Sequence, residues 1–130
     1  MFMDKLFVYG SLKRDGNLHT ALDDSKFLGD YITESNGYVM TSAGNFPFVF
    51  YTTPKNPFHI KGELYEVDKK VLNLTHRIEV GAGYDFKEID KGIYGYLYPT
   101  PIIGETSNSI RVNEDEKYFE WLNSANLTGN

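Results

Sequence analysis

Cysteine is absent from this sequence of 130 residues. Its absence excludes disulfide bonds, thiolate catalysis and cysteine-ligated zinc. No window approaches the ~18 continuous apolar residues of a membrane-spanning helix. The first five residues contain no basic stretch followed by an apolar segment of signal-peptide length. We therefore expect a cytoplasmic protein that does not use a membrane as a partner.

Positive charge is also scarce. There are 13 Lys and Arg residues against 18 Asp and Glu residues, for a formal net charge of −5. No run of basic residues is long enough to follow a phosphate backbone, so nucleic acid is not an expected partner. The three histidines, at positions 19, 59 and 76, are widely separated in sequence. Without a close pair they do not indicate a metal site, and we expect none.

Aromatic residues are abundant, at 15% of the chain with ten Tyr and nine Phe. This composition favours pleated sheet and pockets walled by rings. The chain has the length of one ordinary domain, so we predict a single domain over residues 1–130. Aromatic and β-branched runs predict strands over residues 5–9, 27–34, 38–41, 46–53, 59–67, 84–89 and 93–98. The runs over 27–34, 38–41 and 46–53 are interpreted as successive antiparallel strands.

Helical patterns are fewer. A helix is predicted over residues 69–79, with Asp68 as its N-cap and a buried stripe of Val71, Leu74 and Ile78. One or two helical turns are expected over 18–22. A further acidic helix is expected over 113–123, whose first turn would hold the carboxylates of residues 114–116. The predicted fold class is α+β, a small and mainly antiparallel barrel-like sheet flanked by helices.

Glu79 is the most suggestive single residue. It falls in the last turn of the predicted helix, on a face beside the apolar stripe. The negative end of the helix dipole and partial burial would both raise the pKa of its carboxyl group, which suits a general base. The alternative is an exposed glutamate without a role.

A second candidate is the turn after the first strand, Tyr9-Gly10-Ser11-Leu12. A glycine there lets backbone N–H groups turn outward and form a cradle for an anion or oxyanion. An ordinary loop is the alternative. Further along, three tyrosines alternate at positions 94, 96 and 98, and such a row more simply packs across strands than binds a ligand.

Two hydrolase mechanisms find little support. Glycosidases need two facing carboxylates, and the spacing of Glu63, Glu66 and Glu79 does not show that any two converge. Ser11 lacks a Gly-x-Ser-x-Gly elbow. Neither reaction is predicted.

Several segments together resemble the gamma-glutamylcyclotransferase-like superfamily, in particular its gamma-glutamylamine cyclotransferase and AIG2-like members. The resemblance rests, in order, on Phe7-Val8-Tyr9-Gly10-Ser11-Leu12-Lys13, Phe27-Leu28-Gly29, Phe46-Pro47, the strand from Ile60 to Asp68, and Glu79 followed by Tyr84. It implies an α+β fold with a six-stranded barrel-like sheet. It also implies an enzyme that converts a gamma-glutamyl amide to 5-oxoproline and a free amine without a cofactor.

The resemblance also implies roles for individual residues. Glu79 matches the family's catalytic glutamate, and its substrate loop maps onto Tyr9, Gly10, Ser11 and Leu12. We additionally predict that Tyr84 and Tyr98 contact the substrate.

The chain departs from the family at two positions. Val80 stands where a glycine is frequent, and Phe86 stands where an arginine is frequent. These departures leave open a second hypothesis, a non-catalytic domain that uses the same pocket to bind a small molecule or a protein. The amine side of the substrate and the oligomeric state stay open.

Overall fold

The computed structural model describes residues 3–42, 44–105 and 107–123. In chain order the strands are β1 (Asp4–Val8), β2 (Lys26–Ile32), β3 (Tyr38–Ser42), β4 (Pro47–Tyr51), β5 (His59–Val67), β6 (Asp85–Asp90), β7 (Ile93–Leu97), β8 (Ile110–Asn113) and β9 (Tyr118–Trp121). One α-helix, α1, spans Lys69–Glu79, and a 3-10 helix spans His19–Leu22. None of the helices in these ranges is long and apolar enough to cross a membrane.

Strand β1 lies inside the main sheet. It pairs antiparallel with β5 and parallel with β7. Six strands of this seven-stranded sheet follow the order β6-β7-β1-β5-β9-β8, and the seventh, β2, pairs with β5 off this path. Within the described ranges the two ends of this order are not paired with each other, so the sheet stays open. The predicted α+β class with a mainly antiparallel sheet is confirmed, although the sheet has seven strands rather than the six implied by the resemblance.

The two faces of the sheet bury different partners because side chains alternate along β1. Leu6 and Val8 pack on one face with residues of α1 and of the 3-10 helix. Phe7 packs on the other face with residues of β3 and β4. Strands β3 and β4 form a separate two-stranded hairpin over that second face.

Helix α1 has the bounds that the sequence predicts. The Asp68 carboxylate accepts a hydrogen bond from the Val71 N–H at 2.9 Å, which makes it the N-cap. Val71 and Thr75 are buried and Ile78 is half-buried. Leu74 is 40% exposed, so its predicted place in the buried stripe is wrong. Thr75 faces the sheet instead because its hydroxyl hydrogen-bonds with that of Tyr96.

Two local predictions are wrong. The segment 113–123 is not a helix: it contains the turn and the second strand of the β8–β9 hairpin, and the acidic residues 114–116 lie in the turn. Strand β9 pairs in parallel with β5, and this distant pairing outweighs any local helical preference. In addition, β2 pairs with β5 and not with β3, so of the three strands predicted as successive antiparallel neighbours, only β3 and β4 pair with each other.

Candidate active site

A cavity of about 270 Å³ opens beside the loop that follows β1. It is lined by this loop, by Ile78 and Glu79 at the end of α1, and by Tyr84. Phe46, at the end of the β3–β4 connection, and Pro47, the first residue of β4, close another side. The cavity therefore lies where three separate parts of the chain meet.

The loop after β1 directs its carbonyl groups into its own turn. The Gly10 carbonyl accepts from the Lys13 N–H at 3.0 Å, and the Ser11 carbonyl accepts from the Leu18 N–H at 2.9 Å. Within the described ranges, no residue accepts a hydrogen bond from the N–H groups of Gly10, Ser11 or Leu12. These three residues line the cavity. Their free N–H groups can bind an anion or a developing oxyanion there.

Gly10 is required for a close approach rather than for an unusual backbone angle. A Cβ atom at this position would lie 3.0 Å from Cγ of Pro47, and the φ of Gly10 is not in the left-handed region. The glycine therefore allows the loop and Pro47 to come together at the wall of the cavity.

Glu79 is the last residue of α1. Its backbone carbonyl accepts from the N–H groups of Ala82 and Tyr84, at 3.1 and 3.0 Å. The side chain lines the cavity, and in the part of the chain that the structure describes its carboxylate has no hydrogen-bond or ion-pair partner. Burial raises the pKa of Glu79 to about 7. A carboxyl group in this state can accept and return a proton near neutral pH.

Two tyrosine hydroxyls near Glu79 donate hydrogen bonds to backbone carbonyl oxygens. Tyr9 donates to the Tyr96 carbonyl and Tyr84 donates to the Pro47 carbonyl, both at 2.6 Å. Burial is the main cause that raises the pKa of both groups, and the nearby Glu79 charge raises it further. Both phenols stay protonated and form walls of the cavity.

A hydrogen-bond chain holds Tyr96 against α1. Thr75 donates its only hydroxyl proton to the Leu72 carbonyl at 3.0 Å, so it accepts the Tyr96 hydroxyl proton at 2.7 Å. The Tyr96 oxygen then accepts from Nδ1 of His76 at 2.8 Å. Burial raises the pKa of Tyr96 to about 12. The chain fixes the wall of the cavity relative to the last turn of the helix that carries Glu79.

The structure brings most of the predicted site residues together. Those that line the one cavity are Glu79, Tyr9, Gly10, Ser11, Leu12 and Tyr84. Tyr98 does not line it. Its ring packs edge-on against Tyr84 at 5.4 Å and against Phe48 at 4.9 Å, so it supports the wall from behind.

Sequence reasoning missed the residues at the mouth. They are Asn17, Leu18, Asn45 and Phe46. Phe46 is 41% exposed and Leu18 is 37% exposed. Phe46 precedes the pair with Pro47 that carries part of the family resemblance, but no periodicity assigns these loop residues to a site. Their convergence depends on the packing of the hairpin against the main sheet.

The comparison with protein-family models decides the family. The model described as "Gamma-glutamyl cyclotransferase, AIG2-like" matches residues 6–118. The chain belongs to this family. A relative from Pyrococcus horikoshii, named provisionally as a gamma-glutamylcyclotransferase, is 35% identical over 85 residues, which cover 65% of this chain and 67% of the relative. The gamma-glutamylcyclotransferase family protein YtfP of Escherichia coli K12 is 29% identical over 77% of this chain and 87% of its own.

Solved structures agree with this membership. The Pyrococcus horikoshii protein superposes with a TM-score of 0.66 at 27% identity, over 82% of this chain and 86% of that one. An AIG2-like protein from Mus musculus superposes with a TM-score of 0.63 at 25% identity, over 84% and 90%. Both are similar to this chain over most of their length, so the match concerns the whole fold and not an isolated motif.

The two departures from the gamma-glutamyl cyclotransferase pattern lie outside the cavity. Val80 is 52% exposed, directly after the helix. The Phe86 ring stacks on Tyr94 at 5.2 Å and meets the His76 ring edge-on at 4.6 Å. Neither residue lines the cavity, although the Phe86 ring contacts Tyr96, which does.

Proposed function

We propose that this member of the gamma-glutamyl cyclotransferase family cleaves a gamma-glutamyl amide by intramolecular attack and releases 5-oxoproline and a free amine. The observation that carries the proposal is the Glu79 carboxylate, whose pKa burial raises to about 7, in one cavity with Gly10, Ser11 and Leu12. Among the described residues, neither this carboxylate nor the backbone N–H groups of those three residues has a hydrogen-bond partner. A base and an oxyanion cradle facing one cavity match the two demands of this reaction.

The base is needed first. The substrate's α-amine is protonated at neutral pH, and Glu79 removes a proton to produce the free nucleophile. The nitrogen then attacks the substrate's own γ-carbonyl carbon, and a new C–N bond closes a five-membered ring. Because nucleophile and electrophile belong to one molecule, the protein contributes mainly positioning.

The cradle and the returned proton complete the reaction. Negative charge develops on the γ-carbonyl oxygen and is stabilised by the N–H groups of Gly10, Ser11 and Leu12. The original C–N amide bond then breaks. The proton held by Glu79 passes to the departing nitrogen, which leaves as a neutral amine, and the carboxylate is restored. The new ring nitrogen loses its second proton to solvent, so the lactam of 5-oxoproline is neutral.

A matched pair of substrates tests this mechanism. A gamma-glutamyl amide with a free α-amine should yield equal amounts of amine and 5-oxoproline. Its N-acetylated form should yield neither, because an acylated nitrogen is too poor a nucleophile to close the ring. Both products are measured by chromatography.

Other outcomes would identify other functions. Release of amine from both substrates, or glutamate in place of 5-oxoproline, would mean that water is the nucleophile. Binding of both substrates without release of amine would favour a non-catalytic binding domain. The departures from the family at Val80 and Phe86 are the reason for considering this alternative.

A further inference from the structure

We propose that the substituent on the departing nitrogen is uncharged and apolar, with neither a carboxylate nor an ammonium group. This inference rests on the proposed function and specifies its substrate class. The inference is based on the scarcity of charged side chains in the cavity that Glu79 lines and on the exposed apolar side chains around it.

The cavity offers no partner for a second charge. Among its described lining residues, Glu79 is the only Asp, Glu, Lys, Arg or His. The basic residues closest in sequence to the loop are Lys13 and Arg14, and both are committed elsewhere. Lys13 donates to the Trp121 carbonyl at 2.6 Å, and Arg14 pairs with the buried Glu63 at 3.2 Å. An amine that carried a carboxylate would meet no cation here.

The substrate's glutamyl half already uses the groups that could bind a charge. Its developing oxyanion needs the loop N–H groups, and its α-amine needs Glu79. The amide groups of Asn17 and Asn45 remain at the mouth, and they are neutral. A charged group desolvated without an ionic partner loses much of its hydration energy, which disfavours binding.

The mouth instead presents apolar surface. Leu18 and Phe46 are both more than a third exposed. The Phe46 ring contacts Phe48 edge-on at 5.5 Å, and Phe48 in turn contacts Tyr84 at 6.2 Å. Phe48 does not line the cavity itself but packs behind these two rings. An alkyl or aryl group on the departing nitrogen can bury its surface against Leu18 and Phe46.

Substrates that differ by one charge test the inference. The first pair is gamma-glutamyl-phenethylamide and gamma-glutamyl-phenylalanine, which differ only by a carboxylate. The second is gamma-glutamyl-butylamide and gamma-glutamyl-(4-aminobutyl)amide, which differ by an ammonium. We expect kcat/KM for 5-oxoproline release to be about tenfold or more higher for the uncharged member of each pair, the effect of one unpaired charge. Equal values within either pair would overturn the proposal.

A charge placed at the mouth provides a second test. Leu18→Lys should improve kcat/KM for gamma-glutamyl-phenylalanine relative to the phenethylamide by about twofold to fivefold, as for an exposed ion pair. Leu18→Gln is the neutral control. Ile103→Lys adds the same charge at a fully exposed residue that does not line the cavity. In this variant the ratio of kcat/KM for gamma-glutamyl-phenylalanine to kcat/KM for the phenethylamide should stay unchanged. A ratio that responds equally to Leu18→Lys and Ile103→Lys would contradict a local effect.

The two proposals fail in different ways. If none of the four compounds yields 5-oxoproline, the proposed cyclisation is wrong. In that case, dissociation constants of the same pairs, measured by calorimetry, test the preference for an uncharged substituent independently of turnover. Tighter binding of the uncharged members by about tenfold or more would support an apolar pocket, and equal binding would overturn it.

Discussion

At the scale of single residues, the candidate site contains a carboxyl group, that of Glu79, for which the described residues provide no partner. Most buried charges in proteins are paired, because desolvation is expensive. In the described chain Glu63 follows this rule, since it accepts from the Arg14 backbone and side chain and from the Tyr65 hydroxyl. Glu79 does not. The contrast is consistent with the proposed role of Glu79 as a base, and it implies a cost in stability.

That cost gives a pH dependence with a definite sign. The Glu79 pKa is about 7 in the folded protein and near 4.5 when unfolded, so the folded state binds more protons between these values. The free energy of unfolding should therefore fall as pH rises from 4.5 to 7, with the full penalty present above 7. Glu79→Gln removes the charge and should exceed the native protein in stability at pH 8, by up to about 3 kcal/mol.

Urea unfolding at pH 8 and at pH 4.5 measures this effect. The advantage of Glu79→Gln should largely disappear at pH 4.5, where the native carboxyl group is protonated when folded. Glu66→Gln, on β5 and outside the cavity, is the control and should show no such difference. A Glu79→Gln variant that is less stable than native at pH 8 would show that the carboxylate has a favourable partner.

Gly10 gives a prediction about binding. Gly10→Val places a branched side chain against Pro47, where even Cβ would lie 3.0 Å from Cγ, and displaces the N–H cradle. We expect KM to rise about tenfold or more, in line with an imperfectly placed binding group. Ser11→Ala should have a much smaller effect, because the proposed contacts are backbone N–H groups. Steady-state kinetics with circular dichroism as a check on folding would measure both, and an unchanged KM in folded Gly10→Val would argue against the cradle.

At the scale of elements, α1 places Glu79 through its length and its cap. The helix starts at the Asp68 cap and ends at the catalytic candidate. Its last turn is anchored by the Thr75 and His76 contacts with Tyr96. The two ends of the helix therefore have different roles, with stability at the first and the site at the second.

Substitutions at the cap should separate these roles. Asp68→Ala removes the acceptor for the Val71 N–H and should lower the free energy of unfolding by about 1 kcal/mol. KM should be unchanged, because the cap lies at the opposite end of α1 from Glu79. Asp68→Asn retains an acceptor and serves as the control. A larger loss of turnover in Asp68→Ala than in Asp68→Asn, at a temperature where both are folded, would show that the cap also positions the site.

At the scale of the whole molecule, local sequence patterns predicted the elements whose formation depends on neighbouring residues. The Asp68 cap and the following period defined α1, and aromatic runs located β3 to β7 within a few residues. The hairpin of β8 and β9 was missed because its stability depends on pairing with β5, almost sixty residues away. The residues of the candidate site also divide into those that the sequence predicts and those that only tertiary packing brings to the cavity. Glu79 and the Gly10 loop could be named from spacing and family resemblance, but Phe46 and Leu18 reach the cavity only through tertiary packing.

The central claim is that Glu79 is the base of a cyclisation reaction. Its most direct test is the rate of 5-oxoproline release from a free gamma-glutamyl amide by the native protein and by Glu79→Gln, with Glu66→Gln as the control. Glutamine preserves the shape of the side chain but cannot take the proton, so we expect kcat to fall about 10²–10⁴-fold in Glu79→Gln and to stay native in Glu66→Gln. Near-native release by a folded Glu79→Gln protein would contradict the account.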